Sequence, residues 1–448
     1  MNPQSPAGGA SAPGRDISTD VAVIGGGIIG HGIAWEARQS GRSVVIIDDA
    51  PGTGASWAAA GMLAPVSELH YQEEELLELM LHSSRLWPAF AAGLEGQEPD
   101  GSRSVSGYLT TSTLAVGADA ADRRALADLR SVQQASGLTV EALTVREARG
   151  REPLLSPGIS CAFDIPADHQ VDPRRLLARI AESLAGSAVR QRAAGLVWEG
   201  GRVAGVRLAG GGTVHAGETI VANGLGAGSL AGLPAGLKLP LRPVYGDILR
   251  LRVPAYLQPL VTSTVRGLVH GVPVYIVPRQ DGTVVIGATQ REDALSEPGT
   301  AGAGPETAGL EHAAPAHTSI SAGGVYQLLR DAQVLVPAVT ELELLEATAR
   351  ARPGTPDNAP LLGRVSDGGA GRGSGRDVEG LIIATGFFRH GVLLTPAAAS
   401  ICRQLMDGNA DPRWAAFRPG RFSDFSAATA KPETPVGTVT IDPNKETA

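Results

Sequence analysis

A glycine-rich turn near the start of the chain constrains the fold more than any other feature. Gly25, Gly27 and Gly30 form the pattern G-x-G-x-x-G, which falls between an apolar stretch, DVAVI, and a segment of helical character, IIGHGIAWEARQSG. A second apolar stretch, RSVVIIDD, follows directly. Strand, helix and strand in this order predict a βαβ unit with a buried parallel sheet, the unit that binds dinucleotides.

Each part of this motif has a separate physical task. The first glycine permits the tight turn, the second lets the backbone approach a pyrophosphate, and the third lets the helix pack closely on the strand. The N–H groups at the start of the helix, at Ile28 and Ile29, face the phosphates. Asp48 and Asp49 end the second strand, where a carboxylate accepts hydrogen bonds from ribose hydroxyls. A solvated strand end is the alternative, and Asp49 is the better candidate for it.

Length and composition indicate a soluble protein of more than one domain. The chain has 448 residues, a formal net charge of -8 and no basic stripe for nucleic acid. Its two cysteines, Cys161 and Cys402, cannot build a disulfide framework or a metal cluster. No apolar run is long enough to span a bilayer. We therefore expect a cytoplasmic protein without a nucleic-acid partner, a bound metal or a membrane span.

Apolar spacing predicts further helices and strands along the chain. Helical periodicity covers Glu73–Phe90, Ala121–Gly137 and Pro173–Ala185, whereas strand character dominates from Val189 to Val221 and from Leu241 to Ala288. Four stretches are poor in large apolar residues and are predicted to be disordered or flexible. They are a leader at 1–17, insertions at 293–321 and 366–377, and a tail at 422–448.

Six segments, in order, resemble the D-amino-acid oxidase family, especially its glycine oxidase branch. They are GASWAAAGMLAP from Gly54, DHQVDPRRLL from Asp168, IVANGLGAGSL from Ile220, VYIVPRQDGTVVIGAT from Val274, ARPGTPDNAPLLG from Ala351 and ATGFFRHGVLLTPAAA from Ala384. The likeness covers residues 20–417 outside the two insertions. It implies an α/β fold in which a Rossmann-type FAD-binding domain (18–100, 151–235 and 340–417) is interleaved with a smaller antiparallel-sheet substrate domain (101–150 and 236–339).

The resemblance also implies which residues contact a non-covalent FAD. Ala60 and Gly61 leave room for the flavin ring, and Ala55, Ser56 and Met62 lie near the pyrophosphate and the isoalloxazine. Core packing is the alternative for Met62. Gly195 falls at the backbone contact on the adenine side. The loop before a C-terminal helix faces the flavin's pyrimidine edge and stabilises the negative charge of reduction; its residues are Phe387, Phe388, Arg389, His390, Gly391, Val392 and Leu393.

For the substrate, the resemblance points to Arg352, Arg389 and Tyr275. An arginine holds a carboxylate by two parallel hydrogen bonds, and Arg352 matches the family's carboxylate-binding arginine. Arg389 matches a second arginine, with a structural role beside the flavin as its alternative, and Tyr275 roofs the pocket unless it is a half-buried strand tyrosine. Pro273 and Gly226 depart from the family pattern, which leaves pocket size and substrate preference open.

The chemistry implied is carried by the flavin, because no catalytic triad, carboxylate pair or histidine cluster is present. The amino acid is held with its α-hydrogen towards the flavin, hydride is transferred, and the imine hydrolyses to an α-keto acid and ammonia. Oxygen then reoxidises the flavin and yields hydrogen peroxide. The family suggests a homotetramer that supplies thiazole synthesis for thiamine. Two alternatives stay open: another amino-acid or N-methyl-amino-acid oxidase or dehydrogenase with a different acceptor, and a non-catalytic FAD-binding protein.

Overall fold

The structure is a computed structural model, and it describes residues 16–69, 73–95, 104–292, 319–366 and 376–423. The predicted flexible stretches lie largely outside these residues: 1–15 of the leader, 293–318 and 367–375 of the insertions, and 424–448 of the tail. Within the described residues, no helix is both long and apolar enough to cross a membrane.

The described chain forms eight α-helices and eighteen strands. The helices are α1 (Ile28–Gln39), α2 (Ala55–Ala58), α3 (Glu74–Leu94), α4 (Ala120–Ala135), α5 (Val145–Arg151), α6 (Pro173–Ser183), α7 (Ala322–Leu335) and α8 (Thr395–Met406). The strands are β1 (Ile17–Ile24), β2 (Val44–Ile47), β3 (Met62–Leu63), β4 (Thr113–Gly117), β5 (Glu141–Leu143), β6 (Cys161–Ile165), β7 (His169–Gln170), β8 (Ala188–Val189), β9 (Ala193–Glu199), β10 (Arg202–Leu208), β11 (Thr213–Val221), β12 (Arg242–Arg252), β13 (Thr264–Val269), β14 (Val272–Pro278), β15 (Thr283–Gly287), β16 (Glu343–Gly354), β17 (Leu361–Ser366) and β18 (Asp377–Thr385).

The first sheet contains the predicted βαβ unit. Its strand order is β17-β18-β11-β1-β2-β8, and β18, β11, β1, β2 and β8 pair in parallel. The hairpin of β9 and β10 pairs with the first half of β11. Helices α1, α3, α6 and α8 cover one face, where Val23, Ile46 and Ile382 are buried with Ile33 and Ile401. The parallel arrangement and the helix that follows the glycine turn confirm the Rossmann-type prediction.

The second sheet is mainly antiparallel, with the order β16-β12-β15-β14-β13-β4-β6-β5. Helix α7 packs on one face, where Leu328 and Leu335 meet Ile276 of β14. The other face presents Tyr275, Ile248 and Val277 towards β3 and the end of α2. Tyr275 and Ile276 therefore lie on opposite faces, as the alternation along a strand requires.

The interleaving of the two sheets follows from strand pairing. The first sheet uses strands from residues 17–47, 188–221 and 361–385, and the second uses strands from 113–165, 242–287 and 343–354. Cys161–Ile165 and Glu343–Gly354 thus pair in the second sheet, although the sequence-based division assigns their segments to the FAD-binding domain. The domain boundaries themselves stay a prediction.

Local chemistry explains the helices that the sequence predicts. Helix α4 begins with a capping box. The Asp119 side chain accepts from backbone N–H groups of the first turn, and the Asp122 side chain accepts from the Asp119 backbone N–H. Helix α6 begins at Pro173 and is capped by Asp172. The predicted helices at 73–90, 121–137 and 173–185 are thus confirmed within a few residues. Helix α7, whose cap is Ser321, was not predicted.

Candidate active site

A cavity of about 1060 Å³ lies between the carboxyl ends of the first sheet and the inner face of the second. Its wall is drawn from the glycine-rich turn, the segment after β2, the inner strands of the second sheet and the loop after β18. A ligand at the carboxyl ends of parallel strands is typical of open α/β sheets. The cavity size is sufficient for a large cofactor together with a small substrate.

The glycines of the turn are required by close backbone contacts. A Cβ atom at Gly30 would lie 1.9 Å from the Gly25 carbonyl oxygen, and one at Gly25 would lie 2.5 Å from the Ala222 oxygen. Gly27 forms part of the cavity wall together with Ile28 and Ile29, whereas Gly30 packs inside the unit. Gly25 and Gly30 are therefore required by backbone packing, whereas the approach of a pyrophosphate to Gly27 stays a prediction.

The two predicted acidic residues occupy different environments. Asp48 lines the cavity, and its carboxylate accepts hydrogen bonds from the backbone N–H of Gly26 at 2.5 Å and of Ala50 at 2.7 Å. Asp49 points away and pairs with Arg192 at 3.0 Å on the surface, where its side chain is 48% exposed. The structure therefore brings only Asp48 to the cavity.

The segment after β2 forms the central part of the wall. Ala55, Ser56, Ala60, Gly61 and Met62 all line the cavity. The Ser56 hydroxyl accepts from the Ile28 N–H at 2.9 Å, which ties α2 to the start of α1. Gly61 has a positive φ of 75°, and a Cβ there would lie 2.0 Å from the Val171 oxygen.

Gly195 lies elsewhere. It pairs with Arg207 within the β9–β10 hairpin and forms an isolated bridge with Ala231, and it does not line the cavity. The adenine-side contact implied by the resemblance has no counterpart in the cavity wall at this residue.

The loop after β18 offers backbone donors to the cavity. All seven residues from Phe387 to Leu393 line the wall. Within the described chain, the N–H groups of Gly391, Val392 and Leu393 have no hydrogen-bond partner. The Leu393 oxygen accepts from Ser83 at 2.6 Å and from Trp87 at 2.8 Å, both on α3, which fixes the loop in place. Fixed donors of this kind stabilise an anionic group without reorganising.

Arg352 and Tyr275 each lie over a glycine of the second sheet. The guanidinium of Arg352 lies over Gly246, where a Cβ would approach its nitrogen atoms to 2.4 Å. The Tyr275 ring lies over Gly287, where a Cβ would lie 2.4 Å from the hydroxyl oxygen. No carboxylate or carbonyl of the described residues pairs with the Arg352 guanidinium, so it is available to an anionic ligand.

The environment of Tyr275 keeps its hydroxyl protonated. Burial raises the pKa of Tyr275 to about 12; Glu68 adds to the shift, and the positive charges of Arg352 and Arg266 oppose it. The hydroxyl is therefore a hydrogen-bond donor over the whole physiological range.

A buried ion-pair network beside Tyr275 was not predicted from the sequence. Glu68 pairs with Arg266 of β13 and, at 3.0 Å, with Arg389 of the loop after β18. Arg389 also lies 3.7 Å from Glu73. Burial alone would raise the pKa of Glu68, but the charges of Arg266, His390 and Arg389 hold it well below its usual range. One sequence signal existed, since Arg266 interrupts an otherwise apolar strand.

The residues around the cavity fit FAD. The glycine turn admits a pyrophosphate, the Asp48 carboxylate stands where a ribose is expected, and the unpartnered N–H groups of the loop suit the pyrimidine edge of a flavin. Both cysteines are buried away from the wall, with Cys402 inside α8. The described wall therefore offers no thiol for a covalent bond to the flavin.

Comparison with known proteins agrees with this geometry. The sequence model of the family described as FAD dependent oxidoreductase (DAO) matches residues 20–405. A glycine oxidase of Geobacillus kaustophilus is 32% identical over 399 residues, covering 87% of this chain and 93% of that protein. The bifunctional protein ThiO/ThiG of Trichormus variabilis is 29% identical over 92% of this chain, which spans only 56% of its length.

A solved structure shows the same fold. The crystal structure of glycine oxidase from Geobacillus kaustophilus superposes with a TM-score of 0.74 at 28% identity, covering 91% of this chain and all of that one. The crystal structure of iminodiacetate oxidase from Chelativorans sp. BNC1 superposes with a TM-score of 0.71 at 23% identity, over 89% of this chain and 98% of that one.

Proposed function

Because the chain belongs to the FAD dependent oxidoreductase (DAO) family, with FAD as its cofactor and amines as its substrate class, we propose that it oxidises glycine. Sarcosine and small D-amino acids are further proposed substrates. The amine is oxidised to an imine, water hydrolyses the imine to an α-keto acid and ammonia, or methylamine in the case of sarcosine, and molecular oxygen takes the two electrons to give hydrogen peroxide. The matched relatives named glycine oxidase support this substrate.

One observation carries the proposal. None of the described residues accepts a hydrogen bond from the guanidinium of Arg352, which lines the cavity together with Tyr275. A guanidinium that lacks a protein acceptor leaves its donors to a ligand, and a carboxylate satisfies two of them in parallel. An α-amino acid is the simplest amine that carries such a group.

The cavity residues then act by positioning. Arg352 binds the carboxylate, and the Tyr275 hydroxyl donates a second hydrogen bond, since it stays protonated. Gly246 and Gly287 leave the space that both side chains need. Bound FAD would supply the acceptor for the hydride of the substrate's α-carbon. Holding the substrate in one orientation replaces a catalytic base.

The wider role is proposed on the resemblance and the relatives together. We propose a cytoplasmic homo-oligomer, a tetramer as in the family, whose product supplies thiazole synthesis for thiamine. The bifunctional ThiO/ThiG relatives are longer than this chain, and only their matched part bears on it.

The test is an anaerobic absorbance titration of the purified yellow protein with glycine, sarcosine and D-alanine, followed by air and a peroxide assay. We expect glycine to bleach the flavin and air to restore it with release of peroxide. Bleaching without peroxide, together with turnover of an artificial acceptor, would instead identify a dehydrogenase. A spectrum that none of the amines changes would contradict the proposed substrate class.

A further inference from the structure

Four arginines line the cavity, and their partners differ. They are Arg266, Arg350, Arg352 and Arg389. The Nε atom of Arg350 donates to the Thr53 backbone oxygen at 2.9 Å and one terminal nitrogen donates to the Ala349 oxygen at 2.8 Å, so two of its three nitrogen atoms are engaged by the protein. Arg352 has no acceptor among the described residues.

Glu68 engages the remaining two. One carboxylate oxygen accepts from Arg266, and the other lies 3.0 Å from the Nε atom of Arg389. That Nε atom donates its hydrogen bond to the Nε2 atom of His390, so the contact between Glu68 and Arg389 is an ion pair. The side chain of Glu68 is only 12% exposed, and it lines the cavity itself. A single carboxylate thus forms a hydrogen-bonded ion pair with Arg266 and a second ion pair with Arg389, and both guanidinium groups belong to residues that line the cavity.

Arg266 and Arg352 stand on opposite sides of Tyr275. Arg266 of β13 is directly across from Tyr275 of β14, and both charges act on the tyrosine hydroxyl. Arg352 approaches from β16, on the far side of Gly287 and Gly246. A substrate carboxylate at Arg352 therefore leaves the opposite end of the molecule near Glu68 and Arg266.

We propose that Glu68 is a specificity-determining residue that restricts the cavity to amines with one carboxylate, because it occupies Arg266 and Arg389 and leaves Arg352 for the ligand. This inference rests on the proposed function. A second carboxylate on the substrate would meet the negative charge of Glu68 and would find no open guanidinium. Repulsion of this kind excludes a wrong ligand as effectively as a lost contact.

The experiment compares malonate with acetate as non-reacting ligands of the FAD-loaded protein. Each dissociation constant is measured from the change in flavin absorbance, in the native protein and in Glu68→Gln. Glutamine keeps the shape of the side chain but carries no charge and accepts at one atom only. We expect the ratio of the malonate to the acetate dissociation constant to fall at least about tenfold in Glu68→Gln.

The matched control is Glu73→Gln, which removes the same charge near Arg389 but does not contact Arg266. Its malonate to acetate ratio should stay at the native value. In the double variant Glu68→Gln/Arg266→Gln the ratio should return towards native. The proposal would be overturned by an equal fall of the malonate to acetate ratio in Glu68→Gln and Glu73→Gln. An unchanged ratio in folded Glu68→Gln would overturn it as well.

A second measurement covers the case in which Glu68→Gln fails to bind FAD. If Glu68 engages the other arginines, Arg352→Gln should abolish saturable acetate binding, because no second guanidinium is open. Residual binding within about tenfold of native would contradict the proposal. Both tests use ligand binding, so they stand whether or not glycine is turned over. Two oxidisable substrates offer the same comparison. The kcat/KM of iminodiacetate relative to that of sarcosine should rise in Glu68→Gln.

Discussion

The two ends of the cavity are built in different ways. The dinucleotide end is made mainly of backbone: glycines that no Cβ fits, the start of α1, and the N–H groups of the loop after β18. The amine end is made of charged side chains from distant strands, with Arg352, Arg266 and Glu68 arranged around Tyr275. The first end depends on shape and the second on charge balance. Substitutions at the dinucleotide end should therefore disrupt it by steric clash, whereas substitutions at the amine end should change which ligands bind.

The largest effect is expected at the dinucleotide end, in Gly30→Ala. The new Cβ would lie 1.9 Å from the Gly25 oxygen, so the turn and the helix must separate. Overpacking of this kind costs about 3 kcal/mol of folding free energy. We expect a colourless protein with a lowered melting temperature. Gly150→Ala, at a helical glycine with nothing within 4 Å, is the control and should keep its colour and melting temperature. A yellow, stable Gly30→Ala would refute the shape-based account.

The next effect belongs to the amine end, in Arg352→Ala. Loss of the guanidinium should weaken glycine binding by about 2–5 kcal/mol while FAD content stays native. Arg352→Lys keeps the charge but not the two parallel donors, so its glycine affinity should lie between those of the native protein and Arg352→Ala. The measurement is a glycine titration of the flavin spectrum. Glycine affinity unchanged in Arg352→Ala would remove the carboxylate role.

Asp48→Ala should have a smaller effect, confined to the cofactor. The carboxylate accepts from two backbone N–H groups as well as facing the cavity, so its loss should weaken FAD binding by about 1–3 kcal/mol. Asp49→Ala, which removes only the surface pair with Arg192, is the matched control and should bind FAD normally. Equal FAD affinity in the two variants would show that Asp48 is structural at most.

The smallest effect concerns pH at the amine end. Because burial raises the pKa of Tyr275 to about 12, its hydroxyl should remain neutral through pH 10. Tyr275→Phe should therefore raise the KM for glycine without moving the alkaline limb of the pH profile. A limb that disappears in Tyr275→Phe would mean that the tyrosine ionises within that range.

The same contrast explains what the sequence could predict. The dinucleotide end follows from local rules, since the spacing of Gly25, Gly27 and Gly30 fixes a turn whose reasons lie within a few residues. Arg352 and Tyr275 were reached through the family resemblance. Glu68 and Arg266 were not predicted, because their pairing joins residues 198 apart, and no periodicity reports such a contact.

Two further differences have physical reasons. Asp49 follows Asp48 directly, but successive residues at a strand end point to opposite sides, so only one of them faces the cavity. The first turn of helix α7 contains two glycines, Gly323 and Gly324, which have low helix propensity, and the helix follows the insertion at 293–321, which was predicted to be flexible. The apolar face of α7 is identified only from its packing against β14.

The order in which the strands are synthesised carries a consequence for how the protein matures. Strand β18 pairs with both β17 and β11 in the first sheet, and the loop with the free N–H groups follows it immediately. A ribosome that has completed the glycine turn must still make almost the whole chain before the opposite wall of the cavity exists. We therefore expect FAD to bind only after the loop at 387–393 has been made, so a truncated product that ends before residue 385 should emerge without colour and without a native first sheet.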